Sequence, residues 1–188
     1  MKAIKGNFGY LTVKRRQVLV RTILYFGISL ALFTVGYVTT GTRKNLLTVV
    51  AVLGCLPACK SMVQLIMLIR AKGCSEETRK ILAPLEGRLI GMYDLYFTSY
   101  QKNFALSHMV VDGKVILGYG EKGVCELKAC QEHLQTMLKQ GGFQDITLKL
   151  TDDIEKYAQQ LNNLNCMERT GSAEKEDEVR VLLYEISL

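Results

Sequence analysis

Two long apolar runs dominate the first 70 residues of the chain. Residues 22–40 carry no charge, and residues 46–69 carry one, at Lys60. A helix rises about 1.5 Å per residue, so each run is long enough to cross a hydrocarbon core of roughly 30 Å. Because a short connection joins the two runs, the pattern predicts a hairpin of two antiparallel transmembrane helices. A buried core hairpin of a soluble protein is the alternative, and runs this uncharged disfavour it.

After residue 72 the pattern changes to shorter alternating and helical periods, which suit one small domain. The predicted elements are a helix from Ser75, strands at 92–100, 104–111 and 114–119, a helix at 125–140, a strand at 145–150, a helix capped by Thr151, and a last strand at 179–186. Residues 168–178 are polar and charged and predict a flexible loop. The expected fold class is a membrane-anchored α+β protein, in which a two-helix transmembrane hairpin precedes a small α-β-β-β-α-β-α-β mixed-sheet domain.

Local signals support several of these boundaries. Asp112-Gly113 lies between two apolar runs and predicts a type I′ hairpin turn, since Asp and Gly tolerate positive φ. Ser75 and Thr151 precede acidic residues and predict helix N-caps. Pro84 predicts a kink or an early stop of the first helix of the domain.

Charge is distributed unevenly along the chain. Residues 1–72 hold eleven Lys or Arg and no acidic residue, whereas residues 73–188 hold thirteen basic and eighteen acidic residues, a balance of −5. The predicted division is therefore a basic segment at 1–21, the hairpin at 22–72 and an α/β domain at 73–188. Six basic residues precede the first span and four follow the second, against two in the turn. The positive-inside rule then predicts that both termini are cytoplasmic, in a bacterial-type plasma membrane.

Basic residues near the span ends are expected to contact anionic lipid headgroups. These candidates are Lys14, Arg15, Arg16, Arg21, Arg70 and Lys72. Nucleic acid is not an expected partner, because the larger domain carries the opposite charge.

Lys60 has two interpretations. Its long side chain can reach the cytoplasmic interface, or it can line a transport path through an oligomer of the hairpin. The pairs Gly27 with Ala31 and Gly54 with Ala58 are four residues apart and permit close helix contact, so a homo-oligomer stays open.

The six cysteines do not form a recognisable metal or disulfide pattern. No C-x-x-C pair occurs, and a cytoplasmic domain keeps its thiols reduced. Glu126, Cys130 and His133 share one side of a predicted helix, which is a possible part of a metal site. Cys130 also belongs to the apolar stripe of that helix and is better explained as a core residue. The sequence therefore predicts neither a metal nor a cofactor.

The stretch SHMVVDGKVILGYG, in which His108 and the Val110–Val111 strand precede a Gly-containing turn, is similar to the heart of the nuclease-related domain. The predicted α-β-β-β-α-β order also resembles the restriction-endonuclease-like core, and the resemblance covers residues 75–128. At the positions of the family's acid, Glu and Lys, this chain has Ser107, Gly118 and Gly120. The resemblance thus implies a relative of the fold without the nuclease chemistry.

Two functions follow from these patterns. The first is an integral membrane protein that presents a non-catalytic domain, which binds another protein at the cytosolic face as a scaffold or regulator. The alternative is a membrane-anchored, metal-dependent nuclease that uses Asp112, Glu126 and Lys128. That alternative requires the three side chains to converge within a few ångströms.

Overall fold

Both predicted apolar runs are helical. The computed structural model describes residues 4–42, 46–99, 102–167 and 172–188. Helix α1 spans Tyr10–Thr40 and helix α2 spans Leu46–Arg70. Both are long and apolar enough to cross a membrane. Helix α1 begins well before the predicted span, because residues 10–21 contain neither Gly nor Pro to interrupt it.

The chain divides into two compact units. One comprises Leu11–Ala71, the helical hairpin, and the other combines residues 4–10 with Lys72–Leu188. The second unit therefore contains the α/β domain and also the short segment that precedes the hairpin.

Within the hairpin unit, small and hydroxyl residues lie between the two helices. The hydroxyl groups of Thr22 and Ser61 are 2.7 Å apart, and both residues are buried. A Cβ atom at Gly54 would lie 2.9 Å from Ser29 Oγ, so the helices approach closely there. Gly27, in contrast, faces open space on the outer side of α1. The predicted small pair at Gly54 therefore lies at the interface between the helices, and the pair at Gly27 does not.

A four-stranded mixed sheet forms the centre of the second unit. Its strands are β1 Gly91–Thr98, β2 Asn103–Asp112, β3 Val115–Tyr119 and β4 Thr147–Thr151, in the order β1-β2-β3-β4. The first three strands are antiparallel, and β4 runs parallel to β3. A helix joins β3 to β4, as a parallel crossover requires.

Helices cover both faces of this sheet. They are α3 Glu76–Leu82, followed by a 3₁₀ turn at Ala83–Leu85, then α4 Leu127–Gln140, α5 Ile154–Cys166 and α6 Ala173–Ile186. Helices α4 and α6 pack on one face around Leu134, Leu138 and Leu183, and α3 and α5 pack on the other around Leu82 and Leu161. The predicted cap at Ser75 and the early stop near Pro84 are confirmed, because Ser75 Oγ accepts the Thr78 amide and the α-helix ends at Leu82.

The predicted last strand is wrong. Residues 179–186 belong to helix α6, in which Val179 and Leu183 are buried one turn apart while Val181 is 53% exposed. A helical face, and not strand alternation, explains this burial. Part of the predicted loop at 168–178 is also helical from Ala173 onward, and residues 168–171 lie outside the described residues. After the hairpin the order is therefore α-β-β-β-α-β-α-α.

The hairpin turn and one cap also differ from the prediction. Asp112 pairs with Val115 at the end of the ladder, so the two turn residues are Gly113 and Lys114. Gly113 has φ 58° and Lys114 does not have positive φ, which is the pattern of a type II′ turn and not of type I′. Asp153 and not Thr151 caps α5, because its carboxylate accepts the first free amides of that helix.

Candidate functional site

A left-handed residue in the middle of β1 reorganises one face of the sheet. Asp94 is buried and has φ 57°, which is unusual for a residue other than glycine. Met92 and Leu95 flank it three residues apart, yet both pack into the same core cluster. In a regular strand they would face opposite sides. Asp94 thus interrupts the alternation of side chains between the two faces of β1. Its Oδ1 accepts a hydrogen bond from the Cys74 amide at 2.7 Å.

Beside this irregularity lies a polar network centred on a fully buried histidine. His108 Nδ1 is 2.8 Å from the Tyr157 hydroxyl, and His108 Nε2 is 3.1 Å from Glu86 Oε1. The Tyr93 hydroxyl donates to the same Glu86 oxygen. His108 and Tyr157 are inaccessible to solvent, whereas the Glu86 side chain is 21% exposed. Glu86 therefore connects a buried network to the surface of the domain.

Hydrogen bonding sets the protonation of this network. Burial opposes ionisation of Glu86, but donation from His108 and Tyr93 outweighs it, and the pKa of Glu86 lies below its ordinary value. Burial, together with the hydrogen bond to Glu86, raises the pKa of Tyr93. Burial also raises the pKa of Tyr157 well above its usual range. The arrangement favours an ionised Glu86 carboxylate, to which the neutral Tyr93 phenol is bonded directly and the neutral Tyr157 phenol is linked through the His108 ring.

Two carboxylates hold the segment that leads into α3. Glu121 Oε1 accepts the Ser75 amide at 2.9 Å, next to the Cys74 amide that Asp94 accepts. Burial and the two nearby carboxylates raise the pKa of Cys74 to about 12. The Cys74 thiol is therefore neutral, and its Sγ donates to the Ser75 carbonyl.

A second charged cluster surrounds Asp112. Arg88 donates to both Asp112 oxygens, and its Nη2 also donates to the Leu164 carbonyl at 2.8 Å. Beside this pair is a cavity of about 370 Å³ whose lining includes Glu176 and Arg180. Glu176 accepts the Gly113 amide at 2.9 Å, so the turn after Asp112 is tied to α6. Two carboxylates and two guanidinium groups therefore surround the cavity at this end of the sheet.

The structure does not bring the three alternative catalytic residues together. Asp112 ends β2, whereas Glu126 forms an ion pair with Lys102, the residue before β2 begins. A strand rises about 3.3 Å per residue, which separates the two ends of β2 by roughly 30 Å. Lys128 is exposed in the first turn of α4. Asp112 is instead engaged by Arg88.

The three residues considered as part of a metal site, Glu126, Cys130 and His133, lie in different environments. The Glu126 side chain is exposed and paired with Lys102, whereas Cys130 is fully buried in the core. The His133 ring packs against Phe104, with ring centroids 5.8 Å apart. Within the described ranges, no group of three or more His, Cys, Asp or Glu is placed to hold a metal ion.

The basic residues near the hairpin fall into two groups. Arg15 donates to two backbone carbonyls at the end of α2, which have no partner within the helix. Its Nη2 lies 2.9 Å from the Leu68 oxygen and 3.1 Å from the Ala71 oxygen. Arg21 Nη2 donates to Gln64 Oε1 at 2.6 Å. The exposed or partly exposed members are Lys14, Arg16, Arg70 and Lys72. Lys60 is also exposed, on the outer side of α2.

Sequence reasoning missed the network of Glu86, His108 and Tyr157. One signal was present, because Ser107 and His108 interrupt an otherwise apolar strand, and a buried histidine needs hydrogen-bond partners. Tyr157 lies on the buried face of α5. Its hydroxyl partner lies 49 positions away, which no local pattern indicates.

In comparisons with protein-family models, curated proteins and solved structures, the chain matches none.

Proposed function

We propose that this chain is an integral membrane protein whose helical hairpin anchors an α/β binding domain. The observation that carries the proposal is the exposure of the hairpin. In the most apolar window of each helix, 17% of residues are buried inside the protein. Outward side chains include Leu30, Val38 and Leu46, which are 65%, 80% and 78% exposed. Covering such a side chain contributes about 1.5–3 kcal/mol, and lipid supplies that cover along both helices.

The second compact unit supports a topology with both termini on the same side. Gly6 pairs with Tyr93 of β1, and Lys5 Nζ donates to the carbonyls of Tyr184 and Ser187. The chain therefore enters and leaves the hairpin from one compact unit. A hairpin that crosses the bilayer twice returns the chain to its starting side. The excess of basic residues at that side favours the cytosol.

The buried polar groups of the domain are hydrogen-bonded to one another, which favours a binding function over catalysis. Both ring nitrogens of His108 are hydrogen-bonded within the domain, and both carboxylate oxygens of Asp112 accept hydrogen bonds from Arg88. Exposed apolar side chains instead mark a surface: Ile90 and Met167, which line the cavity beside Arg88, are 53% and 61% exposed. We assign this surface to contact with another protein at the membrane, since exposed apolar groups beside arginine are typical of interfaces.

Topology is tested by labelling intact cells with a membrane-impermeant maleimide. Thr42→Cys introduces a thiol at an exposed position two residues after the end of α1, and the natural Cys166 is an exposed thiol of the α/β domain. Peptide mass spectrometry should find Thr42→Cys labelled in intact cells and Cys166 labelled only after permeabilisation. The reverse order would overturn the orientation, and release of the chain by alkaline carbonate would overturn the membrane anchor.

The partner surface is tested separately by photo-crosslinking in cells. A benzophenone amino acid at Ile90 should give a discrete larger product, whereas the same group at exposed Val181 on α6 should not. Equal products at both positions, or none at Ile90, would contradict binding at the surface beside Arg88.

A further inference from the structure

An open groove lies along the first half of helix α1, within the hairpin unit. Its volume is about 590 Å³. The lining residues form two adjacent rows on the helix surface, because residues four positions apart lie one above the other. The lining combines basic, amide, apolar and aromatic side chains: Arg16, Gln17, Val20, Arg21, Leu24 and Tyr25. Two arginines therefore lie beside one groove that also has an apolar wall.

The basic residues near this groove differ in their contacts. Arg15 donates to the backbone carbonyls at the end of α2, so its guanidinium group is directed away from the groove. Arg16 and Arg21 are both exposed. Arg21 Nη2 donates to Gln64 Oε1 at 2.6 Å, and this hydrogen bond restrains the guanidinium group at the edge of the groove. Because glutamine is neutral, the bond leaves the charge of Arg21 uncompensated.

The hairpin itself supplies no counter-charge to this groove. Residues 11–71 contain no Asp or Glu, so no carboxylate of that unit can pair with Arg16 or Arg21. Two cations beside one groove favour an anionic ligand. A phosphate group suits them, since guanidinium groups donate paired hydrogen bonds to phosphate oxygens.

The apolar wall favours a phospholipid over a free phosphate ion. Val20 and Leu24 are exposed and lie one turn apart, on the side of Arg16 that leads into the apolar run. Tyr25 follows them, and a tyrosine ring is typical of the boundary between lipid headgroups and hydrocarbon. Charged groups thus precede apolar groups along α1, in the order in which a phospholipid presents its phosphate and its acyl chains.

We propose that this groove binds one anionic phospholipid, with the phosphate between Arg16 and Arg21 and an acyl chain along Val20 and Leu24. The inference rests on the proposed membrane anchor and adds a defined lipid site to it. General attraction to an anionic surface would instead involve every exposed basic residue of the hairpin alike, including Arg70.

Lipid titration of the full-length protein tests the site. The purified protein in detergent micelles is titrated with phosphatidylglycerol or with phosphatidylcholine of the same acyl chains, and native mass spectrometry counts the bound lipids. We expect saturation at one phosphatidylglycerol per chain and at least about tenfold weaker binding of phosphatidylcholine. Equal affinity for the two lipids, or phosphatidylglycerol binding that does not saturate, would overturn the proposal.

Substitutions that remove one charge distinguish a defined site from general attraction. Arg16→Gln and Arg21→Gln should each weaken phosphatidylglycerol binding about fivefold. Arg70→Gln is the matched control, because it removes the same charge from an exposed position at the end of α2 that does not line the groove. It should leave the affinity unchanged. Equal weakening in all three variants would overturn the site.

Two further arms separate charge from folding and lipid from free phosphate. Arg16→Lys and Arg21→Lys keep the charge and should bind phosphatidylglycerol more tightly than the corresponding Gln variants, and equal binding would contradict a role for charge. Glycerol phosphate carries the phosphate without acyl chains. It should not displace phosphatidylglycerol at the same concentration, and displacement would contradict the contribution of Val20 and Leu24.

Failure of the site is distinguishable from failure of the membrane anchor. If the chain resists alkaline carbonate but binds both lipids equally, the lipid site is wrong and the anchor stands. If alkaline carbonate releases the chain, the anchor is wrong, and the lipid site is wrong with it.

Discussion

Arg88 holds Asp112 through two parallel hydrogen bonds at the end of the sheet, Nη1 to Oδ1 at 3.1 Å and Nη2 to Oδ2 at 2.7 Å. The Asp112 side chain is 4% exposed and that of Arg88 is 32% exposed. This pairing explains why Asp112 belongs to the strand and not to the turn. The two turn residues are Gly113 and Lys114, one position later than the sequence predicts. The Asp112 carboxylate can therefore accept both hydrogen bonds from Arg88, which lies between the sheet and α5.

Removal of Arg88 should destabilise the α/β domain. Arg88→Ala leaves the Asp112 carboxylate buried without its cation, and we expect a loss of about 3 kcal/mol in the free energy of unfolding. Urea unfolding of the full chain in detergent, followed by the circular dichroism of the sheet, measures this loss. Lys114→Ala is the matched control, because its ion pair with Asp145 is exposed on both sides. Equal midpoints for the two variants would show that the buried pair is not important for stability.

Tyr157→Phe should destabilise the domain through His108. The substitution keeps the ring that fills the core but removes the hydroxyl 2.8 Å from His108 Nδ1. A buried ring nitrogen without a partner costs about 1–3 kcal/mol. Tyr37→Phe, on the exposed side of α1, serves as the control. The measurement is the urea midpoint of each variant, and an unchanged midpoint for Tyr157→Phe would mean that the hydrogen bond contributes nothing.

Stability at acid pH should depend on Glu86. Because its pKa is lower in the folded protein than the ordinary 4.5, Glu86 binds a proton more weakly when folded. Its contribution to stability is therefore fully present above about pH 4.5 and is lost as the pH falls through the folded pKa.

The measurement is the unfolding free energy of Glu86→Gln and of the unmodified protein between pH 3 and pH 7. The variant should be less stable at pH 7, and the two curves should converge toward pH 3. Parallel curves over the whole range would contradict a lowered pKa. Glu155→Gln, at an exposed position of α5, provides the control.

Gly54 should be intolerant of a larger side chain, whereas Gly27 should accept one. An added Cβ at Gly54 would meet Ser29 Oγ at 2.9 Å, and at Gly27 it would meet nothing within 4 Å. Gly54→Leu should therefore separate the two helices, and Gly27→Leu should leave them paired.

Helix separation is measured as the yield of a disulfide between engineered cysteines at Thr22 and Ser61, whose hydroxyl oxygens are 2.7 Å apart. The natural cysteines of the hairpin, Cys55 and Cys59, are replaced by Ala in all of these variants. We expect at least about a fivefold lower yield in Gly54→Leu. Equal yields in the two glycine variants would contradict the close approach at Gly54.

The helix pair could be predicted because its signal is local. Residues 22–40 and 46–69 are uninterrupted apolar runs, and backbone groups in such a run are satisfied within a helix. The first strands and the cap at Ser75 also follow from neighbouring residues. The last element could not be predicted in this way, because VRVLLYEI suits a strand by composition and a helix by the spacing of Val179 and Leu183. Packing against the sheet selected the helix.

Composition and local order alone established where the chain is apolar, where it is basic, and which segments alternate. Tertiary contacts established the functional geometry: the left-handed Asp94, the partners of His108, and the pairing of Arg88 with Asp112. The physical reason is distance along the chain. Periodicity reports the neighbours within a few residues, whereas Glu86, His108 and Tyr157 meet only after the sheet and α5 have packed together.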